Sequence, residues 1–337
     1  MRRYGKLFER ITDPENLLAA HRAARKGKSW QRAVQRVEAD LEGKLAALRT
    51  ALVTRTFTTS SYREKRIFEP KERTIYRLPY YPDRIVQHAL VRVMEPIWDG
   101  MFIGESYACR KGKGGHAGSR KTMEYVRRFA YCLKLDISKF YPSIDQEILF
   151  GIICRKIKCS GTLWLIGNII RSFPGGKNVP IGNYTSQWFG NLYLNELDRF
   201  VKDELRVRPY VRYCDDFCLF DDDKRRLGDA ARAIKQFAEE RLKLKLSKCD
   251  LFPVKRGVDF LGYRHFPGYV LVRKSTAKRV KERIRRLPDL LASGRISIEA
   301  YRSSLASTMG WLRWANSFHL RSSLDLDGLW DLAQHAA

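Results

Sequence analysis

Apolar residues near the start of the chain recur every three or four positions, a pattern typical of amphipathic helices. Asp13 followed by Pro14 predicts a helix start, with aspartate as the N-cap and proline at the first helical position. A second helix is predicted from one apolar stripe with Arg and Glu on the opposite face, formed by Val34, Val37, Leu41, Leu45, Leu48 and Leu52. The pattern therefore predicts a basic helical N-terminal extension at residues 1–56.

The pattern then changes to β-branched and aromatic residues among Lys and Arg, which predicts a β-hairpin between Phe57 and Tyr81. Asp83 is expected to open a packed helix. A glycine-rich basic stretch, RKGKGGHAGSRK at residues 110–121, follows it. Because no buried strand precedes this stretch, we interpret it as a flexible basic loop near a phosphate backbone, not as a dinucleotide-binding fingerprint.

The second half of the chain alternates short strand patterns with helical ones. An apolar strand at 131–135 ends at Asp136, and a further hairpin is predicted around YVRYCDDFCLF at 210–220. The remaining predicted elements are a helix at 184–205, an amphipathic helix at 227–242, a β-rich section at 250–272 and helices beyond residue 273. This order predicts an α+β fold.

The predicted hairpin carries Tyr213-Cys214-Asp215-Asp216 at its tip. A turn needs no more than one Asp, so two adjacent carboxylates indicate a divalent metal site. Asp136 ends another strand, and an α+β sheet could bring it to the same place. Three Asp without nearby His or Cys favour magnesium over zinc, and two such ions would support nucleotidyl transfer. Three solvated loop aspartates are the alternative at this point.

The net charge of the chain indicates which class of partner it binds. The 337 residues include 64 Lys and Arg against 37 Asp and Glu, a formal net charge of +27, which favours nucleic acid over a merely solubilising surface. Apolar runs such as LWLIGNII fall short of the ~20 residues that span a bilayer, and the N-terminus lacks the apolar core of a signal peptide, so a cytoplasmic protein without membrane contact is expected. In the basic segment at 273–286, the residues expected to contact a nucleic-acid backbone are Lys274, Lys278, Arg279 and Arg283.

Four motifs in sequence order resemble the palm motifs of reverse transcriptases. They are Asp136-x-x-x-Phe-Tyr141, Gly-x-x-x-Ser within IGNYTSQ (181–187), the Tyr213 tetrad, and Phe260-Leu261-Gly262-Tyr263. The segment EPKERTIYRLPYYPDRIVQHAL (69–90) is similar to the fingers motifs of group II intron-type enzymes. The resemblance implies a right-hand polymerase with α+β fingers and palm, an antiparallel sheet packed by helices, at 57–270. It also implies a helical basic thumb at 271–337.

The same resemblance implies a role for each matching residue. Asp136 and Asp215 would bind two Mg²⁺ ions, for which Mn²⁺ is a possible substitute, with the Ile137 backbone carbonyl as a further ligand and Asp216 beside them in the catalytic cluster. The remaining matches are Tyr141, closing off the ribose 2′ position; Lys71 and Arg73, holding the incoming triphosphate; and Phe260, Leu261 and Gly262, forming the primer grip. Lys248 falls near the family's proposed proton donor, but a solvated surface lysine is an equal alternative.

The Gly182 motif departs from the usual Gln-Gly-x-x-x-Ser-Pro, because Ile181 and Gln187 replace the flanking Gln and Pro. This form resembles the diversity-generating retroelement reverse transcriptases of bacteria and phages. They copy a template-repeat RNA into cDNA from dNTPs and a cDNA or RNA primer, with errors at template adenines, and they work with a small basic accessory variability protein oligomer. The apolar Ile181 offers no side-chain hydrogen bonds, so we expect relaxed selectivity.

Two alternatives remain open from the residues. One is a group II-like or retron reverse transcriptase of ordinary fidelity. The other is a catalytically silent RNA-binding scaffold on a polymerase fold, which the charge favours and the intact aspartates do not.

Overall fold

The structure, a computed structural model, describes residues 3–68 and 72–335. Within these residues the α-helices are α1 (Phe8–Ile11), α2 (Pro14–Arg25), α3 (Arg32–Glu38), α4 (Leu41–Val53), α5 (Ile85–Asp99), α6 (Gly115–Arg128), α7 (Phe140–Ser143), α8 (Gln146–Cys154), α9 (Ser160–Ile170), α10 (Tyr184–Arg199), α11 (Lys224–Arg241), α12 (Lys274–Ala292), α13 (Ile298–Leu312), α14 (Phe318–Ser322) and α15 (Leu326–His335). The strands are β1 (Arg63–Ile67), β2 (Arg73–Arg77), β3 (Tyr131–Ile137), β4 (Tyr210–Tyr213), β5 (Asp216–Asp221), β6 (Leu246–Pro253), β7 (Val258–Phe260), β8 (Tyr263–His265) and β9 (Val270–Val272).

The chain forms two compact units. The first contains the residues up to 110 together with 136–208 and 230–248, and the second contains 111–135, 209–229 and 249 onward. Among the helices of the described residues, none is both long enough and apolar enough to cross a membrane.

The first unit begins with helices, as the apolar pattern predicts. Asp13 caps α2, because its Oδ1 atom accepts hydrogen bonds from the backbone nitrogens of Glu15 (2.9 Å) and Asn16 (3.2 Å), so this prediction is confirmed. The prediction of one helix across 34–52 is wrong. The chain breaks into α3 and α4, since Asp40 adopts a non-helical conformation and caps α4 through the Gly43 nitrogen at 3.2 Å.

The predicted hairpin after this helical segment is confirmed as the antiparallel pair β1 and β2, in which Arg63 lies opposite Arg77. Asp83, however, does not cap the following helix. It is buried, and its Oδ1 accepts a hydrogen bond from the Ser60 nitrogen at 3.0 Å, while α5 begins at Ile85 after a π-helical turn at Tyr80–Arg84. The Asp83 carboxylate, which the local pattern predicts as a helix cap, instead makes a tertiary hydrogen bond.

The second unit contains the glycine-rich stretch. Only its first residues form a loop, because α6 begins at Gly115, and the loop prediction is wrong for residues 115–121. Gly114 adopts a φ of +120° directly before the helix, a conformation that favours glycine.

Seven strands, β3 to β9, form two sheets, and most of their residues belong to this unit. The larger is a four-stranded sheet in the order β4–β5–β3–β6, and the smaller is the three-stranded sheet β7–β8–β9. Helices and antiparallel sheets together confirm the α+β prediction. The C-terminal helices bury an apolar core of their own, which includes Val280, Ile284, Leu305 and Leu312.

Candidate active site

The turn between β4 and β5 in the second unit presents the adjacent carboxylates. Tyr213 pairs with Asp216 across the hairpin, so Cys214 and Asp215 form a two-residue turn. Cys214 has a φ of +55°, a left-handed conformation that is unfavourable for a residue with a side chain. The fully buried Arg212 offsets this by donating a hydrogen bond from its guanidinium to the Cys214 carbonyl at 3.0 Å. The predicted hairpin with Asp215 at its tip is thereby confirmed.

Lys134, in the middle of β3, holds the second of these carboxylates. Its side chain is only 8% exposed, and its Nζ atom lies 3.1 Å from Oδ2 of Asp216. The same nitrogen donates to the carbonyl of Asp259 and lies 5.6 Å from the ring centre of Phe260. Burial by itself lowers the pKa of Lys134, but Cys218 and Asp216 outweigh it, so the net pKa is raised and the lysine stays charged.

The sequence contained a signal for this contact that the motif analysis missed. Lys134 interrupts an otherwise apolar strand whose neighbours Cys132, Leu133 and Leu135 are all fully buried. A charged lysine in such a strand needs a partner, because an unpaired buried charge is strongly unfavourable.

Asp136, which belongs to the first unit, is the penultimate residue of β3 and is partly exposed. The hydroxyl of Ser247 donates a hydrogen bond to its Oδ2 atom at 2.6 Å, a contact that the sequence analysis did not identify. The Ser138 nitrogen donates to the Lys245 carbonyl at 2.8 Å, so two hydrogen bonds join this end of β3 to residues 245–247. Lys248 is exposed and follows Ser247 in β6, where consecutive side chains point to opposite faces.

The oxygen donors fit a hard divalent cation in their chemistry. Magnesium is typically held by one or two carboxylates together with substrate phosphates, and each unit presents such a carboxylate, Asp136 near the end of β3 in the first and Asp215 in the β4–β5 turn of the second. Within residues 3–68 and 72–335, no cluster of three or more His, Cys, Asp and Glu side chains is arranged to hold a metal by itself.

Tyr141 lies on the short helix α7, four residues beyond Ile137 in the first unit. It is half-buried and packs against Gly190 of α10, where an added Cβ would come within 3.3 Å of Tyr141 Cε1. Its ring centre is 5.1 Å from that of Phe140. The bulky Tyr141 side chain therefore has a fixed position five residues after Asp136 in the sequence. Gly190 leaves the space that its ring occupies.

The Ile181 motif contacts the basic hairpin of the same unit. The Ile181 carbonyl accepts a hydrogen bond from the Tyr76 nitrogen of β2 at 2.8 Å. Gly182 has a φ of +126°, and a Cβ at this position would collide with the Tyr76 carbonyl, so glycine is required. Ser186 closes the turn by donating to the Pro180 carbonyl at 2.7 Å, and Gln187 is exposed on the first turn of α10.

The hairpin itself carries a basic face. Arg73, the first residue of β2, is exposed, whereas Lys71 lies outside the described residues. Paired residues of antiparallel strands share a face, and the cations on the face of Arg73 are Arg63, Lys65 and Arg77. Like charges directly opposite one another, as at Arg63 and Arg77, destabilise a sheet unless an anion binds there.

Two of the residues matched to the primer grip, Leu261 and Gly262, border a cavity of about 600 Å³ in the second unit. Phe260 is buried at the end of β7, and the next two residues turn the chain with positive φ angles, +57° at Leu261 and +85° at Gly262. The cavity is also lined by Lys113, His116, Tyr213, Asp216, Arg273 and Trp311. It therefore combines cations and aromatic rings with the carboxylate of Asp216, a chemistry suited to a nucleotide unit.

Helix α12 separates its basic residues into two groups. Lys274, Lys278, Arg279 and Arg283 are all exposed, but the guanidinium of Arg283 also donates a hydrogen bond to the Thr308 hydroxyl of α13. Spacing of four, three and four residues extends the stripe of Lys274 and Lys278 to Lys281 and Arg285, both exposed. The high density of Lys and Arg in this segment of the sequence did not show that Arg283 differs from the residues of the stripe.

Comparison with known proteins agrees with the motif order. A family model described as reverse transcriptase (RNA-dependent DNA polymerase) matches residues 69–265, which is more than half of the chain. The chain is 25% identical over 318 residues to protein YkfC of Escherichia coli strain K12, covering 78% of this chain and 83% of that protein.

Other relatives match over shorter segments. The chain is 25% identical over 132 residues to the group II intron-encoded protein LtrA of Lactococcus lactis, covering 37% of this chain and 22% of LtrA. It is 23% identical over 107 residues to the mitochondrial nuclear intron maturase 1 of Arabidopsis thaliana, covering 32% and 14% respectively. The matched part thus spans less than a quarter of the length of these two relatives.

Proposed function

The chain belongs to the reverse transcriptase (RNA-dependent DNA polymerase) family, and we propose that it copies a template-repeat RNA into cDNA within a diversity-generating retroelement. The observation that carries the polymerase function is the match of residues 69–265 to the reverse transcriptase family model. The motif residues also support it, because Asp136 is the penultimate residue of β3 and Asp215 lies in the turn between β4 and β5. The retroelement assignment rests on Ile181 and Gln187 in the Gly182 motif.

The proposed architecture is a right hand. Residues 57–270 form fingers and palm, residues 271–337 form a helical thumb, and residues 1–56 form a basic extension. The basic face of the β1–β2 hairpin and the exposed cations of α12 support this division, because both suit phosphates of substrate and duplex.

In the proposed reaction, the carboxylates of Asp136 and Asp215, with the backbone carbonyl of Ile137, would hold two divalent ions, Mg²⁺ or in its place Mn²⁺. Such ions would supply activation of the primer 3′-hydroxyl and stabilisation of charge on the leaving pyrophosphate. Ser247 orients the Asp136 carboxylate through its 2.6 Å hydrogen bond. Lys134 balances the charge of Asp216 and holds its side chain in place beside the turn.

Selection of the incoming dNTP is assigned to the first unit. Arg73 and its neighbours on the hairpin face, together with Lys71, bind the triphosphate, and Tyr141 excludes a ribose 2′-hydroxyl by its bulk. Ile181 takes the place of an amide side chain that could hydrogen-bond substrate or template. The Ile181 backbone is hydrogen-bonded to Tyr76. Isoleucine in place of glutamine therefore changes the chemistry of the pocket and leaves the backbone of the motif held in position.

Cations and aromatic residues around the 600 Å³ cavity support binding of the primer end next to Asp216. Phe260, Leu261 and Gly262 are the proposed primer grip, and α12 follows the duplex backbone. We further assign a small basic accessory variability protein oligomer as a partner, in the cytoplasm of a bacterium or phage-infected cell.

Primer extension tests the enzymatic proposal. Wild-type protein, a template RNA, a primer, dNTPs and Mg²⁺ should yield cDNA, and Asp215→Asn should yield none while retaining RNA affinity. A wild-type protein that makes no product under these conditions supports the silent RNA-binding scaffold instead. Asp203→Asn, a change of an exposed aspartate on a π-helical turn, is the matched control and should extend normally.

The names of the intron-encoded relatives favour a second candidate, a group II-like or retron reverse transcriptase of ordinary fidelity. Sequencing of the cDNA separates the two. The retroelement proposal requires misincorporation concentrated opposite template adenines, and it requires Ile181→Asn to reduce these errors. A uniform, low error rate, or a genomic context without paired near-identical repeats that differ at adenines, would favour the second candidate.

A further inference from the structure

The hydroxyl of Tyr62, directly before β1 in the first unit, lies at the centre of a chain of hydrogen bonds that reaches the Ile181 motif. Asn183 of that motif donates from Nδ2 to the Tyr62 oxygen at 2.8 Å. The same oxygen lies 2.7 Å from the hydroxyl of Ser172, which donates to the Ile169 carbonyl at 2.7 Å. Three separate segments of the first unit therefore meet at one hydroxyl group.

The direction of each hydrogen bond in this chain is fixed. A serine hydroxyl has one hydrogen, and Ser172 gives it to the Ile169 carbonyl, which can only accept. Tyr62 therefore donates to Ser172 and accepts from Asn183. Burial raises the pKa of Tyr62, so the hydroxyl keeps the hydrogen that it donates. Removal of this hydroxyl would deprive the Asn183 amide of its acceptor and the Ser172 oxygen of its donor.

Asn183 occupies the N-cap position of α10, but its side chain is used elsewhere. Asparagine at an N-cap usually accepts a hydrogen bond from the first turn of its helix, and within the described residues the Asn183 side chain makes no such bond. The buried Gln87 of α5 takes that role, because its Oε1 atom accepts a hydrogen bond from the Tyr184 nitrogen at 2.8 Å. The Asn183 amide therefore fixes the motif to Tyr62 instead of stabilising the helix end.

The ring of Tyr62 makes a second connection, to the hairpin strand that contacts the same motif. It packs edge-on against Tyr76 of β2, with ring centres 6.1 Å apart. The ring of Phe173 lies 5.9 Å from that of Tyr62 and 4.9 Å from that of Tyr76. The Tyr76 nitrogen in turn donates to the Ile181 carbonyl at 2.8 Å. Tyr62 thus contacts the motif through its hydroxyl and the β1–β2 hairpin through its ring.

We propose that Tyr62 is a positioning residue for dNTP selection, whose hydroxyl sets the placement of the Ile181 motif relative to the β1–β2 hairpin. The proposal rests on the proposed function, in which the hairpin binds the triphosphate and the Ile181 motif borders the substrate and template. One nucleotide contacts both elements, so a shift of one relative to the other weakens the binding of every dNTP. Tyr62 acts through these elements, not by contact with the dNTP.

Steady-state primer extension with Tyr62→Phe tests this role, because the change removes the hydroxyl and keeps the ring. We expect the KM for dNTPs to rise about tenfold while kcat changes less than about twofold, as for loss of a hydrogen bond that supports substrate binding. The equilibrium affinity for a fluorescently labelled dATP, which needs no turnover, should fall by a similar factor. Unchanged KM and unchanged dATP affinity in Tyr62→Phe would overturn the proposal.

Tyr193→Phe is the matched control. The Tyr193 hydroxyl is also buried, and it donates to the Leu242 carbonyl at 2.7 Å, so the change removes a hydrogen bond of the same kind that does not involve the Ile181 motif. This variant should lose thermal stability and keep the wild-type KM for dNTPs. An equal rise in KM in both variants would show that the Tyr62 hydroxyl has a general structural role only.

Asn183→Ala removes the other end of the same hydrogen bond. The double variant Tyr62→Phe/Asn183→Ala should raise the KM no further than the larger of the two single changes, because both remove one shared interaction. Fully additive effects would show that the two residues act separately, which contradicts the proposal.

Sequencing of the cDNA keeps this proposal separate from the proposed function. Wild-type cDNA without errors opposite adenines, with a raised KM in Tyr62→Phe, would remove the retroelement assignment and leave the positioning role. Wild-type protein that makes no cDNA, with weaker dATP binding in Tyr62→Phe, would remove the polymerase function and leave the same role. Errors concentrated opposite adenines, with unchanged KM and dATP affinity in Tyr62→Phe, would do the reverse.

Discussion

The ammonium group of Lys134 lies 3.1 Å from the Asp216 carboxylate, although the two residues are 82 positions apart. The same ammonium donates to the carbonyl of Asp259, directly before Phe260. One buried cation therefore joins the carboxylate turn to the strand that leads into Leu261 and Gly262. The Asp259 carboxylate in turn pairs with Arg273, the residue that precedes α12.

Replacement of Lys134 by Met should lower the free energy of unfolding by about 2 kcal/mol, because a partly buried carboxylate then loses its counter-ion. Activity should also fall, since the Asp216 carboxylate beside the turn loses the ammonium group that holds it. Urea denaturation and primer extension measure these effects. Adding Asp216→Asn should recover the stability but not the activity, and Lys235→Met, at an exposed position, should change neither. Unaltered stability in Lys134→Met would contradict the role of the pair.

His265 should make folding sensitive to mild acid. It is fully buried, its Nε2 faces the Ser119 hydroxyl at 2.6 Å, and its Nδ1 faces the Val258 carbonyl at 3.1 Å. Burial lowers the pKa of His265 to about 4, below the ordinary value of 6.5, so the folded state holds the neutral ring. Stability is complete above pH 6.5, falls as the pH drops toward 4 and is lowest below it, with a total loss of about 3 kcal/mol from this group.

Denaturation curves from pH 7.5 to 4 measure this loss. His265→Gln should flatten the pH dependence, whereas His319→Gln, at an exposed position on α14, should leave the wild-type curve. A His265→Gln curve parallel to that of wild type would show that the stability loss arises elsewhere.

Gly182→Ala should impair the Ile181 motif. The added methyl would meet the Tyr76 carbonyl at a φ of +126°, so we expect a loss of about 2 kcal/mol and a sharp fall in dNTP incorporation. Gly228→Ala is the matched control, because Gly228 lies within α11 and its Cβ would meet nothing within 4 Å. That control should raise stability by about 0.5–1 kcal/mol. Thermal unfolding and steady-state kinetics compare the two variants. Equal effects of the two substitutions would contradict the close approach of Gly182 to the Tyr76 carbonyl.

Substitutions in the two groups of cations on α12 should have different effects on RNA binding and stability. Lys278→Ala removes an exposed charge from the stripe, so the salt dependence of primer–template binding should fall by about one unit of slope. Arg283→Ala removes the contact with Thr308 and should instead lower thermal stability with little change in slope. Fluorescence anisotropy at several salt concentrations separates these effects. A loss of slope in Arg283→Ala equal to that in Lys278→Ala would contradict the assignment.

Local rules predicted much of the secondary structure. Asp13 caps α2 and the Tyr213 tetrad forms a hairpin turn, because both depend on neighbours within three residues. Local rules failed where a distant group competed. Asp83 bonds to Ser60 instead of capping α5, and a break at Asp40 divides one expected helix into two.

The sequence by itself determined the family and the order of its carboxylates, since motif identity and spacing are properties of the chain. The tertiary structure alone decided which groups those carboxylates meet. Ser247 reaches Asp136 across 111 residues, and Lys134 reaches Asp216 across 82, and no local pattern encodes either pairing. For Lys134 the physical reason is burial, because a charge withdrawn from water must find its counter-ion wherever the fold brings one. For Ser247 it is chain topology, because the contact requires β6 to lie beside β3.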